Sequence, residues 1–145
     1  MADPLSVAAS VIALIQAVKI GRQQLTRLKA YYNAPPEIAR LRIQMENLEQ
    51  LLDAVANFVG GDQSARKVPP GSDLLSLPIE TTNARVASVN KILNSGAFGR
   101  FRMSDENQAR LTLVRYGKRL AALEREIRDS IQDIGVRLSL VTAYD

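Results

Sequence analysis

Residues 1–18, MADPLSVAASVIALIQAV, are the stretch that decides the fold of this chain. Asp3 can cap a helix that holds Pro4 in its first turn, and no charged side chain follows until Lys19. Such a helix is apolar almost all the way round, so we expect it to be enclosed by other helices or to lie in lipid. The fifteen residues from Pro4 to Val18 give a helix of roughly 22 Å, which is short of the ~30 Å hydrocarbon core of a bilayer.

The first helix is predicted to run from Pro4 to about Tyr32, bent or broken near Gly21. Residues 33–36, Asn-Ala-Pro-Pro, end it because the residue before a proline is pushed out of helical geometry. Pro36 then suits the first turn of a second helix, which ends at Gly60-Gly61. Its apolar residues alternate spacings of three and four, which predicts a heptad seam of Ile38, Leu41, Met45, Leu48, Leu52, Val55 and Val59.

Two further helices follow a predicted surface loop over residues 62–78, in which Leu74, Leu75 and Leu77 are candidate core contacts. The third helix is expected over about 79–94. Ser104 is expected to cap a long fourth helix that continues through Gly117 and Gly135. The predicted core positions are Val86, Val89 and Leu93 in the third helix and Leu113, Tyr116, Leu120, Leu123, Ile127, Ile131, Ile134, Leu138 and Val141 in the fourth.

These patterns predict an all-α fold, an antiparallel helical bundle of four to five helices around the hydrophobic N-terminal helix. Residues 1–145 are interpreted as one domain, because their length suits a single core and no strand alternation competes.

The composition argues against enzymatic, metal and nucleic-acid functions. The chain contains no cysteine and no histidine, so the usual zinc ligands and nucleophile–histidine pairs are missing, and we expect no catalytic residue, metal site or cofactor. Asp129 and Asp133 are interpreted as members of surface ion pairs. Phe98 and Phe101 alternate with arginines in a chain of pI about 9.7, yet no recognition-helix pattern is present, and we expect no nucleic-acid partner.

Charge is distributed unevenly along the chain. Residues 1–32 carry four cations against one acidic residue, residues 33–62 five acidic residues against two cations, and residues 96–119 six cations against two acidic residues. Two basic zones on either side of an acidic helix suit an anionic lipid surface or head-to-tail self-association.

The opening residues 1–14, together with residues 33–37 and the closing Leu138-Ser139-Leu140, resemble the fungal HeLo-like family. Members of that family are N-terminal domains of STAND receptors with NACHT modules and of cell-death effectors. The resemblance implies a bundle similar to the executioner four-helix bundle of the mixed-lineage kinase-like pseudokinase. It also implies that the chain is the N-terminal domain of a longer protein, which a receptor or amyloid-signalling module would activate.

The resemblance further implies a role in fungal programmed cell death, in incompatibility or innate immunity. Such domains oligomerise, move from the cytoplasm to the plasma membrane and permeabilise it as pore-forming assemblies. The proposed membrane-insertion residues are Leu5, Val7, Val11, Ile12, Leu14 and Ile15. The proposed ligands of anionic lipid headgroups are Lys19, Arg22, Lys29, Arg100, Arg102, Arg115, Lys118 and Arg119.

A second hypothesis is a soluble adaptor or oligomerisation domain of a STAND receptor that signals through helix–helix contacts. Under this hypothesis the first helix stays buried, and the basic and acidic faces pair between copies. Binding to anionic vesicles distinguishes the two hypotheses, because only the first requires it.

Overall fold

A computed structural model describes residues 4–32, 36–60, 72–94 and 106–143 of the chain. Within them, four α-helices run over Pro4–Tyr32 (α1), Pro36–Gly60 (α2), Ser76–Leu93 (α3) and Glu106–Thr142 (α4), and a 3₁₀ turn over Ser72–Leu75 precedes α3. The predicted all-α bundle is therefore confirmed.

The four helices pack as two hairpins side by side. Helix α1 packs against α2 and α3, and α4 packs against the same two helices, so α1 and α4 lie diagonally across the bundle. Consecutive helices are antiparallel, as predicted. Asn90 contacts Ala17 and Asn94 contacts Gln24, so α3 runs in the same direction as α1.

The heptad seam of α2 forms the centre of the core. All seven predicted residues are buried, because spacings of three and four keep them on one face of the helix. The predicted core residues of α3 are buried as well. In α4, Leu120, Leu123, Ile127, Ile134 and Val141 are buried, whereas Tyr116, Ile131 and Leu138 are partly buried against them.

Helix α3 begins three residues earlier than predicted, at Ser76. Pro78 therefore lies in its first turn, where the missing N–H costs no intrahelical hydrogen bond. Of the three leucines expected to contact the core, Leu75 is buried, but Leu74 and Leu77 are exposed. The predicted core contact of those two residues is wrong, because the turn and the start of α3 direct them outward.

The break predicted as one alternative near Gly21 is not found, and Gly21 has a packing role instead. The helix continues through it to Tyr32, and Gly21 is buried where α1 meets α2 and α3. A Cβ atom at this position would lie 2.6 Å from Met45 Cε and 2.6 Å from Asn90 Oδ1. Only a glycine therefore allows both neighbours to approach so closely without displacement.

Helix α1 occupies one corner of the bundle, so the expected enclosure on every side is not found. Val11, Leu14 and Val18 are fully buried, but Ile12 is 55% exposed and Ile20 is 51% exposed. Four helices arranged in a square cover only the inner sides of each member, which leaves an outward strip of α1 uncovered.

Several predictions concern residues outside those that the structure describes. They are the Asp3 cap, the 33–35 break, the loop up to residue 71, the Ser104 cap, and the stretch in which Phe98 and Phe101 alternate with Arg100 and Arg102. The side chains of Leu5, Lys29, Leu113 and Arg115 also lie outside the description, although these residues belong to helices.

Candidate functional site

The residues proposed to enter a membrane divide between two environments on α1. Val7, Val11 and Leu14 belong to the buried core, and Ile15 is partly buried against it. Ile12 is exposed. The intact bundle therefore presents only a minority of this set to its surroundings, and the buried residues would reach lipid only if α1 left its neighbours.

The exposed side of α1 forms a continuous uncharged strip that we call the outer face, made of Ala9, Ile12, Ala13, Gln16 and Ile20. Because a helix turns about 100° per residue, these positions fall on one side of the helix, opposite Val11, Leu14 and Val18. An exposed apolar strip of this kind indicates a contact surface more often than a single exposed residue does.

Two cations border the outer face. Lys19 and Arg27 are exposed, and among the described residues neither pairs with a carboxylate. Helix α1 itself contains no acidic residue. The border of the outer face is therefore positive, and it combines apolar area with the charge that anionic groups would attract.

Arg22 has a different environment from these two cations. Its Nε donates a hydrogen bond to Glu49 Oε2 of α2 at 2.8 Å, in an ion pair whose side chains are 31% and 16% exposed. Part of the acidic charge of α2 is thus satisfied within the bundle. Within α2, Arg42 pairs with Glu46 one turn further along the helix, at 3.0 Å.

Polar side chains hold α1 against α3. Asn90 Nδ2 donates a hydrogen bond to the carbonyl oxygen of Ala17 at 3.1 Å, and Gln24 Nε2 donates one to Asn94 Oδ1. Asn90 Oδ1 and Gln24 Oε1 are buried and have no hydrogen-bond partner among the described residues. The described polar contacts of this α1–α3 seam thus rely on amide groups, whereas the α1–α2 contact includes an ion pair.

The proposed headgroup ligands whose side chains the structure describes do not share one surface. Lys118 and Arg119 are exposed, but they belong to α4, diagonally across the bundle from α1. One flat surface that contacts the outer face of α1 therefore cannot also contact Lys118.

Sequence reasoning missed Ile20 and Arg27 as members of this surface. Their positions carried a usable signal, since Ala9, Ala13, Gln16, Ile20, Gln23 and Arg27 repeat the 4-3-4-3-4 spacing of the buried side. A second exposed apolar patch was also missed. It is a shallow groove on α4 lined by Ile131, Gln132, Gly135, Val136, Ser139 and Leu140.

None of the helices within residues 4–32, 36–60, 72–94 and 106–143 is both long and apolar enough to cross a membrane. Comparison with family models, curated proteins and solved structures gives no match for the chain.

Proposed function

We propose that the domain permeabilises membranes when copies of it cluster, and that α1 is the element that leaves the bundle and enters the lipid. The resemblance to HeLo-like domains favours a cell-death role for this activity, with the plasma membrane as its target. One observation carries the proposal. The N-terminal half of α1 has no charged side chain on any side, and part of its apolar surface is already exposed in the folded bundle.

The length of the apolar segment supports entry into one leaflet by each copy. The eleven residues from Leu5 to Ile15 span roughly 16 Å as a helix, about half of the ~30 Å hydrocarbon core. Lys19 and Arg22 follow within two turns, at the depth of the phosphate groups. A segment this short disturbs a bilayer by thinning it or by acting together with other copies, which gives clustering a physical role.

The contacts of α1 support its release. The α1–α3 seam leaves Asn90 Oδ1 and Gln24 Oε1 unsatisfied among the described residues, and separating the helices would return these atoms to water. The opposing term is the burial of Val7, Val11, Leu14 and Val18, which stabilises the bundle by about 1.5–3 kcal/mol for each side chain. Transfer of these side chains into hydrocarbon preserves the free energy gained by burying them, whereas their exposure to water loses it. Release is therefore coupled to the presence of lipid.

A disulfide lock between α1 and α3 tests this proposal. The chain has no cysteine, so the double variant Gly21→Cys/Asn90→Cys contains a single possible pair. A Cβ atom at residue 21 would lie 3.7 Å from Asn90 Cγ, near the place of a cysteine sulfur at residue 90, so a small rotation of the two side chains can bring the sulfur atoms together. The protein is fused to an inducible oligomerisation tag and added to vesicles loaded with dye.

The oxidised double variant is expected to release no dye on clustering, and reduction is expected to restore release. The single variants Gly21→Cys and Asn90→Cys, which lack the bridge, control for the effect of each substitution on packing. Dye release by the oxidised variant at the rate of the reduced one would show that α1 need not leave α3, and the proposal would fail.

The soluble adaptor remains the second candidate, favoured by the burial of Val7, Val11 and Leu14 in the core. Under that function, clustered protein binds no anionic vesicle and releases no dye. Its contacts between copies would then be visible as a change in oligomeric state alone.

Lys118 and Arg119 can bind lipid headgroups, as proposed, only at a stage in which α4 also contacts the membrane. The outer face of α1 and this part of α4 lie on opposite sides of the bundle, so the two sets act at different stages or in different copies.

A further inference from the structure

We propose that the folded bundle first docks on an anionic lipid surface through the outer face of α1, before any helix leaves its place. This inference rests on the proposed function for the membrane as target. It adds a separate step that uses the exposed side of α1, whereas release uses the buried side.

The apolar part of this docking surface is already formed in the folded state. Ile12 is 55% exposed and Ile20 is 51% exposed, and the outer-face residues between them, Ala13 and Gln16, carry no charge. Two isoleucines eight positions apart lie about 12 Å from each other along the helix axis. Both can therefore enter the headgroup layer when α1 lies parallel to the membrane, in the manner of an interfacial helix.

The charge of the surface selects an anionic lipid as its partner. Lys19 and Arg27 border the outer face, and α1 has no acidic residue. Glu49, which approaches α1 from α2, is already paired with Arg22. A second copy docking through the same face would bring like charges together, whereas phosphate and serine headgroups would neutralise them.

The other exposed apolar patch has no positive border. Val136 and Leu140 share the outward side of α4 with Asp129 and Asp133, because positions separated by three, four and seven residues lie on one side of a helix. Asp133 is paired with Arg137 at 3.0 Å, and an exposed arginine lies one turn before Asp129. The charges around this patch therefore balance, and they offer an anionic surface no net attraction. Of the two patches, the outer face of α1 is thus the one suited to such lipids.

Vesicle flotation of the unclustered protein tests the docking step. The probes are phosphatidylcholine vesicles with and without phosphatidylserine. We expect Ile12→Gln/Ile20→Gln to weaken partitioning by at least about tenfold, through loss of the buried apolar area. We expect Lys19→Glu/Arg27→Glu to weaken it by at least about 25-fold, since each cation near an anionic surface contributes about a factor of five.

Matched variants control for composition and charge. Ile43→Gln replaces an isoleucine that is 47% exposed on α2 and is expected to leave partitioning unchanged. Lys118→Glu/Arg119→Glu makes the same change in net charge on the far side of the bundle, and it is expected to weaken partitioning by no more than about twofold at physiological salt. Circular dichroism of every variant verifies that the bundle is folded.

The oxidised Gly21→Cys/Asn90→Cys variant separates this inference from the proposed function. It is expected to float with anionic vesicles as the wild type does, because docking needs no release. Flotation of the locked protein without dye release from the clustered wild type would leave docking in place and overturn permeabilisation. Dye release without flotation of the locked protein would overturn docking alone. Docking would also be overturned if the α1 variants and their controls weakened flotation equally. It would likewise be overturned if the protein formed a dimer in solution and Ile12→Gln/Ile20→Gln dissociated that dimer without changing flotation.

Discussion

The packing around Gly21 predicts that adding one methyl group will loosen α1. In Gly21→Ala, the new Cβ would lie 2.6 Å from both Met45 Cε and Asn90 Oδ1, well inside van der Waals contact. Both atoms end flexible side chains, but Met45 is fully buried, so its Cε can move away only if neighbouring core side chains repack. Overpacking of this kind costs about 1–3 kcal/mol, while the higher helix propensity of alanine returns about 1 kcal/mol.

Gly135→Ala provides the matched control. Gly135 also lies inside a helix, but nothing lies within 4 Å of a Cβ built at its position. This variant gains the propensity term alone and should be more stable than the wild type by about 1 kcal/mol. Propensity cancels when the two variants are compared, so we expect Gly21→Ala to be less stable than Gly135→Ala by about 1–3 kcal/mol.

Urea unfolding followed by circular dichroism measures this difference in the free energy of unfolding. Gly117→Ala repeats the control, because its Cβ position is also open. Equal stability of Gly21→Ala and Gly135→Ala would refute the close approach of α1 to α2 and α3. Because permeabilisation requires α1 to leave the bundle, Gly21→Ala should permeabilise vesicles at a lower degree of clustering than the wild type.

Three further predictions follow from the environments of individual residues. Ile12→Asp should keep its helical content, because Ile12 is 55% exposed. It should nevertheless lose dye release, since a carboxylate inside the hydrocarbon costs up to about 2.5–3.5 kcal/mol, the cost at the membrane centre. Ile43→Asp is the control, and comparable release by both variants would argue against insertion. Leu14→Ala should lower the free energy of unfolding by about 2–5 kcal/mol, as expected for a fully buried leucine; a loss below about 1 kcal/mol in urea titration would be inconsistent with the core. Glu49→Gln frees Arg22 on the α2 side of α1 and should tighten flotation with anionic vesicles by up to about fivefold, whereas unchanged or weaker flotation would mean that Arg22 does not reach headgroups.

The sequence predicted the core best where polar and apolar residues alternate clearly. In α2, charged and amide side chains occupy ten of the eighteen positions outside the seam and none of the seven within it, so the side that is buried was clear. In the first half of α1 every side is uncharged. Periodicity alone could not separate Val11, which is fully buried, from Ile12, which is exposed. The topology of the bundle makes that choice, because α2, α3 and the 3₁₀ turn all contact the same side of α1.

The distribution of charge over the surface was equally hidden from the sequence. Lys19 and Lys118 both belong to basic zones of the chain, and together they suggested one lipid-binding surface. The diagonal positions of α1 and α4 separate them. The role of Gly21 also depends on tertiary contacts, since its partners Met45 and Asn90 lie on two other helices.

Photo-crosslinking to lipid tests the central claim, the release of α1, most directly. Phospholipids with a photoreactive group in the acyl chain are incorporated into anionic vesicles, and mass spectrometry then locates the adducts on clustered protein that is releasing dye. The account predicts adducts on the buried side of α1, at Val11 and Leu14, in addition to Ile12 on its outer face. Adducts confined to Ile12 and Ile20 during active dye release would contradict it, because the bundle would then have kept α1 in place.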